Sequence, residues 1–429
     1  MPAGQNGDFF MIDQWRVTSK DRNILRDLGK RLVEAAAHPD NEKRRRLWHL
    51  HDEGKGERPM VLAEVGGVCN EVFPANFCHC EEEWARGIEW HLRITLWQFD
   101  TLRDDHVIEP EIRLNWQVTT SDYGVQSVQH RPDTAGALGA RRWDPALRNL
   151  QEDFAKLRPR TYSVDREGTL RKKAFLEEVF SGVLPVAIRG AFWWTLGLTQ
   201  TAIDLIGLDN LMIYMYDDPE GLHRLMAFLR DDHLAYARWL EREGLLTLNN
   251  ANDYIGSGSM GYTRALPQPD WRPGMPVRCR DLWALSESQE TVGVGPAQFA
   301  EFIFPYQKSL TDLFGRIYYG CCEPVHSRWH ILAGMANLKR ISIAPWCDEE
   351  FMAAACGKNV VYSRKPNPTL ISTECFDEEA IRADIRRTLS IAARHGCSVE
   401  LIMKDVHTLN REPHRLPRWV AIALTEAGG

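Results

Sequence analysis

Apolar and polar positions change period several times along the chain, and each change marks an element. Between residues 19 and 50, Ile24, Leu25, Leu28, Leu32 and Val33 recur at helical spacing among Lys, Arg and Glu. This predicts helix that pauses near His38-Pro39 and resumes from Arg44 to Leu50. Residues 58–65 (Arg-Pro-Met-Val-Leu-Ala-Glu-Val) read as a short apolar strand opened by a proline, with the carboxylate of Glu64 near its C-terminal end. Residues 84–99 are amphipathic with a helical period, whereas 112–118 and 125–129 alternate like strands. The Pro-, Gly- and Arg-rich stretch 130–160 reads as an insertion on the surface.

Beyond Pro185 strand and helix signals alternate regularly. Strand patterns fall at 186–191, 245–249, 282–285, 316–319, 338–343, 359–363 and 399–403. Between and after them lie helical patterns at 199–206, 219–243, 296–314, 329–335, 349–356, 377–395 and 416–425. Asp218 and Pro219 suit an N-cap and first turn, and Gly244 suits a helix stop. Such alternation predicts the α/β class with a parallel sheet. With the strand before Glu64 included there are seven or eight strands, which predicts a (β/α)8 TIM barrel over 58–429 behind an N-terminal helical extension, residues 1–57. A doubly wound open sheet is the competitor, but no strand–GxGxxG–helix element supports it. Gly256-Ser257-Gly258-Ser259 lacks the lysine of a phosphate loop.

Composition narrows the class of function. The chain has 429 residues, 44% hydrophobic and 26% charged, with a net charge of −7. It has no basic footprint for nucleic acid, and no run approaches the roughly 20 apolar residues of a membrane span. The start lacks a signal-peptide layout, so the expected location is the cytoplasm. Ten cysteines are too sparse for a disulfide scaffold. The adjacent Cys321-Cys322 and the 15 tryptophans are the compositional oddities.

In a barrel, reactive groups sit where strands end on the C-terminal face. Strand ends here offer Glu64, Asn249 and Asn250, the segment 286–290, Cys321-Cys322-Glu323, and 404–407. Thiolates, a carboxylate and a distant histidine can supply three ligands to zinc and leave one position open, which makes Cys321, Cys322, Glu323 and His407 the candidate metal ligands. Two small buried cysteines packing at a strand end are an equally good account of the pair. Glu64 and Glu290 are candidate acid/base groups, with loop capping as the alternative for Glu290. Trp193, Tyr254 and Gln289 are candidate substrate contacts, Trp193 and Tyr254 forming with Trp194, Trp283 and Trp346 an aromatic rim suited to an apolar or cationic ligand. Core filling is the alternative for these aromatics. Cys78-His79-Cys80-Glu81 lacks a partner pair and is set aside.

The run Phe299-Ala300-Glu301-Phe302-Ile303-Phe304-Pro305-Tyr306, the strand ending in Gly320-Cys321-Cys322, residues 338–343, and Gly357-Lys358-Asn359-Val360-Val361 followed by Asn367-Pro368 resemble the uroporphyrinogen decarboxylase superfamily. The resemblance runs from about Val186 to the C-terminus, and residues 28–64 look like the N-terminal part of an uncharacterised branch. It implies a (β/α)8 barrel whose relatives are either tetrapyrrole decarboxylases or zinc methyltransferases working with a corrinoid protein. The decarboxylases carry an arginine-rich N-terminal loop, for which only Arg58 stands here. The methyltransferases carry His-x-Cys at one strand end and a further Cys near the last strand. Tyr319-Gly320-Cys321 or Gly320-Cys321-Cys322 stands in place of the first, and His407 falls near the second.

The expectation is therefore a zinc-dependent methyltransferase moving a methyl group between a small methylated compound and a separate corrinoid (cobalamin) protein. The alternatives are a decarboxylase or lyase on the same barrel using Glu64, Glu290 and His407, and a non-catalytic ligand-binding barrel. A homodimer is a further expectation.

Overall fold

The computed structural model describes residues 15–130 and 142–429. Residues 131–141 of the predicted 130–160 insertion therefore lie outside the described residues. In chain order the strands are β1 (Met60–Ala63), β2 (Ile112–Leu114), β3 (Gln117–Thr120), β4 (Val128–His130), β5 (Arg142–Asp144), β6 (Tyr162–Asp165) and β7 (Val186–Ile188). They continue as β8 (Tyr254–Gly256), β9 (Ser259–Met260), β10 (Trp283–Ser286), β11 (Arg316–Tyr319), β12 (Leu338–Ile343), β13 (Val361–Arg364) and β14 (Val399–Met403).

Six of these form one parallel sheet in the order β1-β14-β13-β12-β11-β10. The chain is an α/β protein with this sheet at its centre. β2 and β7 make a separate parallel pair. Every residue of β1, β10, β13 and β14 is buried, as expected of parallel strands covered on both faces. Residues 19–52 form the helices Ser19–Ala36 and Pro39–Asp52, broken as predicted at His38, which caps the second. Asp218 accepts the Gly221 N–H at the start of Pro219–Arg242, and Gly244 leaves that helix at φ +64°.

The predicted strand at 245–249 is not a strand, and the reason lies in how the sheet's edges are finished. Asn249 donates its side-chain N–H to the carbonyl of Trp283 at 3.0 Å and accepts the Trp283 N–H at 2.9 Å. The amide of this one side chain replaces a backbone ladder along β10. The free edge of β1 is finished in the same way. Asp105 accepts the Val61 N–H at 2.8 Å while gripping Arg58 through two 2.7 Å bonds, and Asp104 accepts the Ala63 N–H at 3.0 Å. Two helices of more than one turn went unpredicted among the described residues, Arg166–Val179 and Leu208–Asp217.

The Gly-Ser-Gly-Ser segment serves packing. The β8–β9 hairpin lies against the strands, and a Cβ on Gly258 (φ +88°) would sit 2.5 Å from Ile402 and 3.1 Å from the Glu64 carboxylate. Only glycine fits a left-handed backbone that close to a neighbouring strand's side chain. The fully buried Arg340 of β12 anchors the hairpin through the Ser259 hydroxyl (2.7 Å) and the Met260 carbonyl (2.6 Å), while Glu400 of β14 accepts from Ser259 at 3.0 Å.

Candidate active site at the carboxyl ends of the strands

Parallel strands bring residues that follow them to one end, so the groups after β1, β10, β11, β13 and β14 share an edge of the sheet. β11 ends on Gly320, whose φ of +93° turns the chain sharply into Cys321-Cys322-Glu323. Glu323, 1% exposed, accepts the Cys321 N–H at 2.8 Å through one oxygen and the Ser288 N–H at 2.9 Å through the other. The Ser342 hydroxyl holds the Cys321 carbonyl at 2.7 Å. Cys321 is thus fixed from three strand ends.

The two sulfurs lie 3.5 Å apart. Lys404, which follows β14 directly, places its ammonium 3.4 Å from Cys321 Sγ, 3.9 Å from Cys322 Sγ and 2.9 Å from the Asp405 carboxylate. Cys322 also donates to Asp405 at 3.2 Å. The hydrogen bond with Cys322 and the Lys404 charge hold the Cys321 thiol below its ordinary pKa, outweighing burial, which acts the other way. Cys322 is pushed up by the same sulfur–sulfur hydrogen bond and by burial, so it keeps its proton. Burial works against the charge of Lys404, but the sulfurs and Asp405 prevail and keep it an ammonium. Asp405 adopts φ +56°, a left-handed conformation rare outside glycine.

Carboxyls flank this ion pair. Glu287, fully buried after β10, accepts the Gln289 N–H at 2.9 Å through one oxygen and leaves the other without a partner. Burial, with the charges of Glu290 and Glu323, raises its pKa well above the usual carboxylate range. Glu290 is raised by burial as well and accepts the Thr199 hydroxyl at 2.7 Å. Lys365, following β13, donates to the Tyr318 and Ser363 hydroxyls at 2.8 and 2.6 Å, and burial lowers its pKa to about 7. Glu64 is half-buried after β1, and its charge acts on Lys365, Lys404 and Tyr254.

Of the residues chosen from sequence, Cys321, Cys322, Glu323, Glu290, Gln289, Glu64 and Tyr254 gather at this end of the sheet. Two do not join the sulfurs. His407 is exposed, with Nδ1 3.7 Å from where a Gly67 Cβ would stand. Trp193 packs edge-on against Phe314, which leads into β11 at the opposite end of that strand. Trp283 is buried on β10, while Trp194 and Trp346 are exposed. Sequence reasoning left Lys365 out and named Lys404 only within a strand-end segment. For Lys404 the available signal was a lone lysine directly after the strand run 399–403, whereas Lys365 follows Arg364 and carries no such signal. A cavity of about 180 Å³ lies elsewhere, lined by Leu28, Arg31, Phe77 and Arg93.

The four expected zinc donors do not fit one metal ion as placed. Both Glu323 oxygens are taken by backbone N–H groups, His407 is exposed, and the ammonium of Lys404 is the cation beside the sulfurs. Among the described residues, no group of three or more His, Cys, Asp and Glu side chains is arranged to hold a metal. No described helix is long and apolar enough to cross a membrane.

No family model matches the chain, and no curated protein matches it. Among solved structures, a methyltransferase from Methanosarcina mazei is similar with a TM-score of 0.49 and 12% identity, over 88% of this chain and 97% of that one. A likeness at that level decides neither fold nor activity.

Proposed function

We propose that the chain is a methyltransferase on a (β/α)8 barrel, in which the Cys321 thiolate accepts a methyl group from a small methylated compound and yields it to a corrinoid carried by a separate protein. The six-stranded sheet, the β2–β7 pair and residues 245–249 are the pieces of that barrel. The observation that carries the reading is the Lys404 ammonium 3.4 Å from a thiol already held below its ordinary pKa at a strand's carboxyl end. The thiolate is the nucleophilic form of cysteine, and a neighbouring cation keeps it populated near neutral pH.

In the first step the carbon–sulfur bond forms as the methyl–heteroatom bond of the donor breaks. The departing heteroatom takes its proton from the Glu287 carboxyl, which burial keeps protonated. Glu323 holds the Cys321 backbone, and Asp405 holds Lys404 against the sulfur, so the nucleophile is oriented before the donor arrives. The corrinoid, when bound, supplies the second nucleophile that returns Cys321 to its starting state. No step runs through zinc, because the expected donors do not converge.

Methylated ethers, amines and thioethers are incubated with the chain and cob(I)alamin, and methylcobalamin formation is followed by absorbance. Turnover by the wild type and its loss in Cys321→Ser support the reading. Turnover that survives Cys321→Ser, or release of carbon dioxide without methylcobalamin, overturns it.

A further inference from the structure

Cys321 and Cys322 are neighbours in sequence with sulfurs 3.5 Å apart, one prone to ionise and the other holding its proton against a carboxylate. This arrangement has what stepwise thiol oxidation requires, namely an attacking thiolate and a resolving thiol within reach. We propose that the pair is a modification site for hydroperoxides, converting reversibly to a Cys321–Cys322 disulfide that switches off the site. The inference rests on the thiolate assigned to Cys321 under the proposed function.

The chemistry balances with one hydroperoxide as oxidant. The Cys321 thiolate attacks the terminal peroxide oxygen, an S–O bond forms, the O–O bond breaks, and the alkoxide or hydroxide leaves and is protonated by solvent. Cys322 then passes its proton to Asp405, 3.2 Å from its sulfur. Its sulfur attacks Cys321, the S–S bond forms, and the hydroxide expelled from Cys321 takes up a proton and leaves as water. Two thiols and one hydroperoxide become a disulfide, an alcohol or water, and one further water.

Two features favour a labile bond over a permanent staple. The peptide joining the two cysteines is not among the cis bonds, so their Cα atoms are held about 3.8 Å apart, short of the ~4.4–6.8 Å that relaxed disulfides span. A disulfide strained in this way is easily reduced again. Cys321 is itself buried, but it differs from the buried Cys80, Cys279, Cys347 and Cys356 in having the half-buried Cys322 beside it and in a pKa that is lowered where burial raises theirs.

The full reduced chain is treated with one equivalent of hydrogen peroxide at neutral pH and read by intact mass and peptide mapping. The wild type should lose the mass of two hydrogens at the 321–322 peptide and recover on addition of dithiothreitol. Cys322→Ala should stop at a Cys321 sulfenic acid trapped by dimedone, and Lys404→Met should slow the reaction by about tenfold. Oxidation spread evenly over the ten cysteines, or Cys321 passing directly to sulfinic acid with Cys322 present, overturns the proposal. Iodoacetamide labelling of the same samples separates the two ideas. Preferential labelling of Cys321 without disulfide formation sinks the switch alone, while a disulfide in a chain that transfers no methyl group sinks the methyltransferase reading alone.

Discussion

Lys404→Met removes the ammonium beside Cys321 and leaves a side chain of similar length. At 3.4 Å, two unit charges attract by about 5 kcal/mol at an effective dielectric of about 20. Asp405, whose side chain is 48% exposed, admits solvent to the pair, so roughly half of that, about 2–3 kcal/mol, is the working figure. At about 1.4 kcal/mol per unit, the Cys321 pKa should rise by about two units. The thiolate fraction at neutral pH then falls about a hundredfold, but a more basic thiolate is also more nucleophilic, with a Brønsted slope near 0.45, so the net loss in alkylation rate is about tenfold. Iodoacetamide labelling followed by peptide mass spectrometry measures this directly, with the exposed Cys375 as internal reference. At alkaline pH, where both thiols are ionised, the order should reverse, the more basic thiolate of the variant reacting about eightfold faster. An unchanged rate at neutral pH refutes the clamp. A rate depressed equally at every pH shows that the substitution has blocked access and left the ionisation untouched.

Three further predictions concern stability. Because the folded pKa of Glu287 is raised, its favourable contribution is complete below the unfolded value of about 4.3 and fades as pH rises through the folded value. Glu287→Gln should therefore raise Tm relative to wild type more at about pH 8 than at about pH 4, and equal shifts at the two pH values in calorimetry would count against a buried neutral carboxyl. Gly258→Ala must place a methyl against Ile402 at positive φ, which should cost about 2–4 kcal/mol in urea unfolding; a loss below half a kcal/mol would mean the hairpin packs loosely. Arg340→Leu leaves Glu400 buried without its cation at 3.6 Å and should cost about 3–5 kcal/mol, much of it recovered in the double variant with Glu400→Leu. Additive losses in that cycle would show that the two residues act independently.

Legibility in the sequence followed physical rules. The strands at 338–343 and 399–403 matched because their Leu, Ile and Val residues carry a strand signal even with Lys339, Arg340, Ser342 and Glu400 among them. Residues 245–249 have the same apolar look, but their pairing is made by the side chains of Thr247 and Asn249, which no periodicity registers. The segment 161–185 carries a helix whose core side shows few strongly apolar residues, Leu176 and Val179 among them, so its stripe was too thin to read.

The rule that reactive groups follow strands located Cys321 and Cys322, yet it could not tell ligand from scaffold. Glu323 looks like a metal ligand in sequence, but it spends both oxygens on backbone N–H groups. His407 stands only four residues beyond β14 and is exposed, in a segment that passes through Asp405 at positive φ. Lys404 was passed over as a catalytic group for the opposite reason. A lysine after a strand is usually solvated, and only the packing of two sulfurs and a carboxylate around it gives it a role.

Peptide mapping of the chain after incubation with the panel of methylated compounds, with no corrinoid present, tests the central claim most directly. With the right donor, Cys321 should gain the mass of one methyl group while Cys375 stays unmodified, and added cob(I)alamin should remove it. A chain that forms methylcobalamin yet never carries a methyl group on Cys321 would contradict the account.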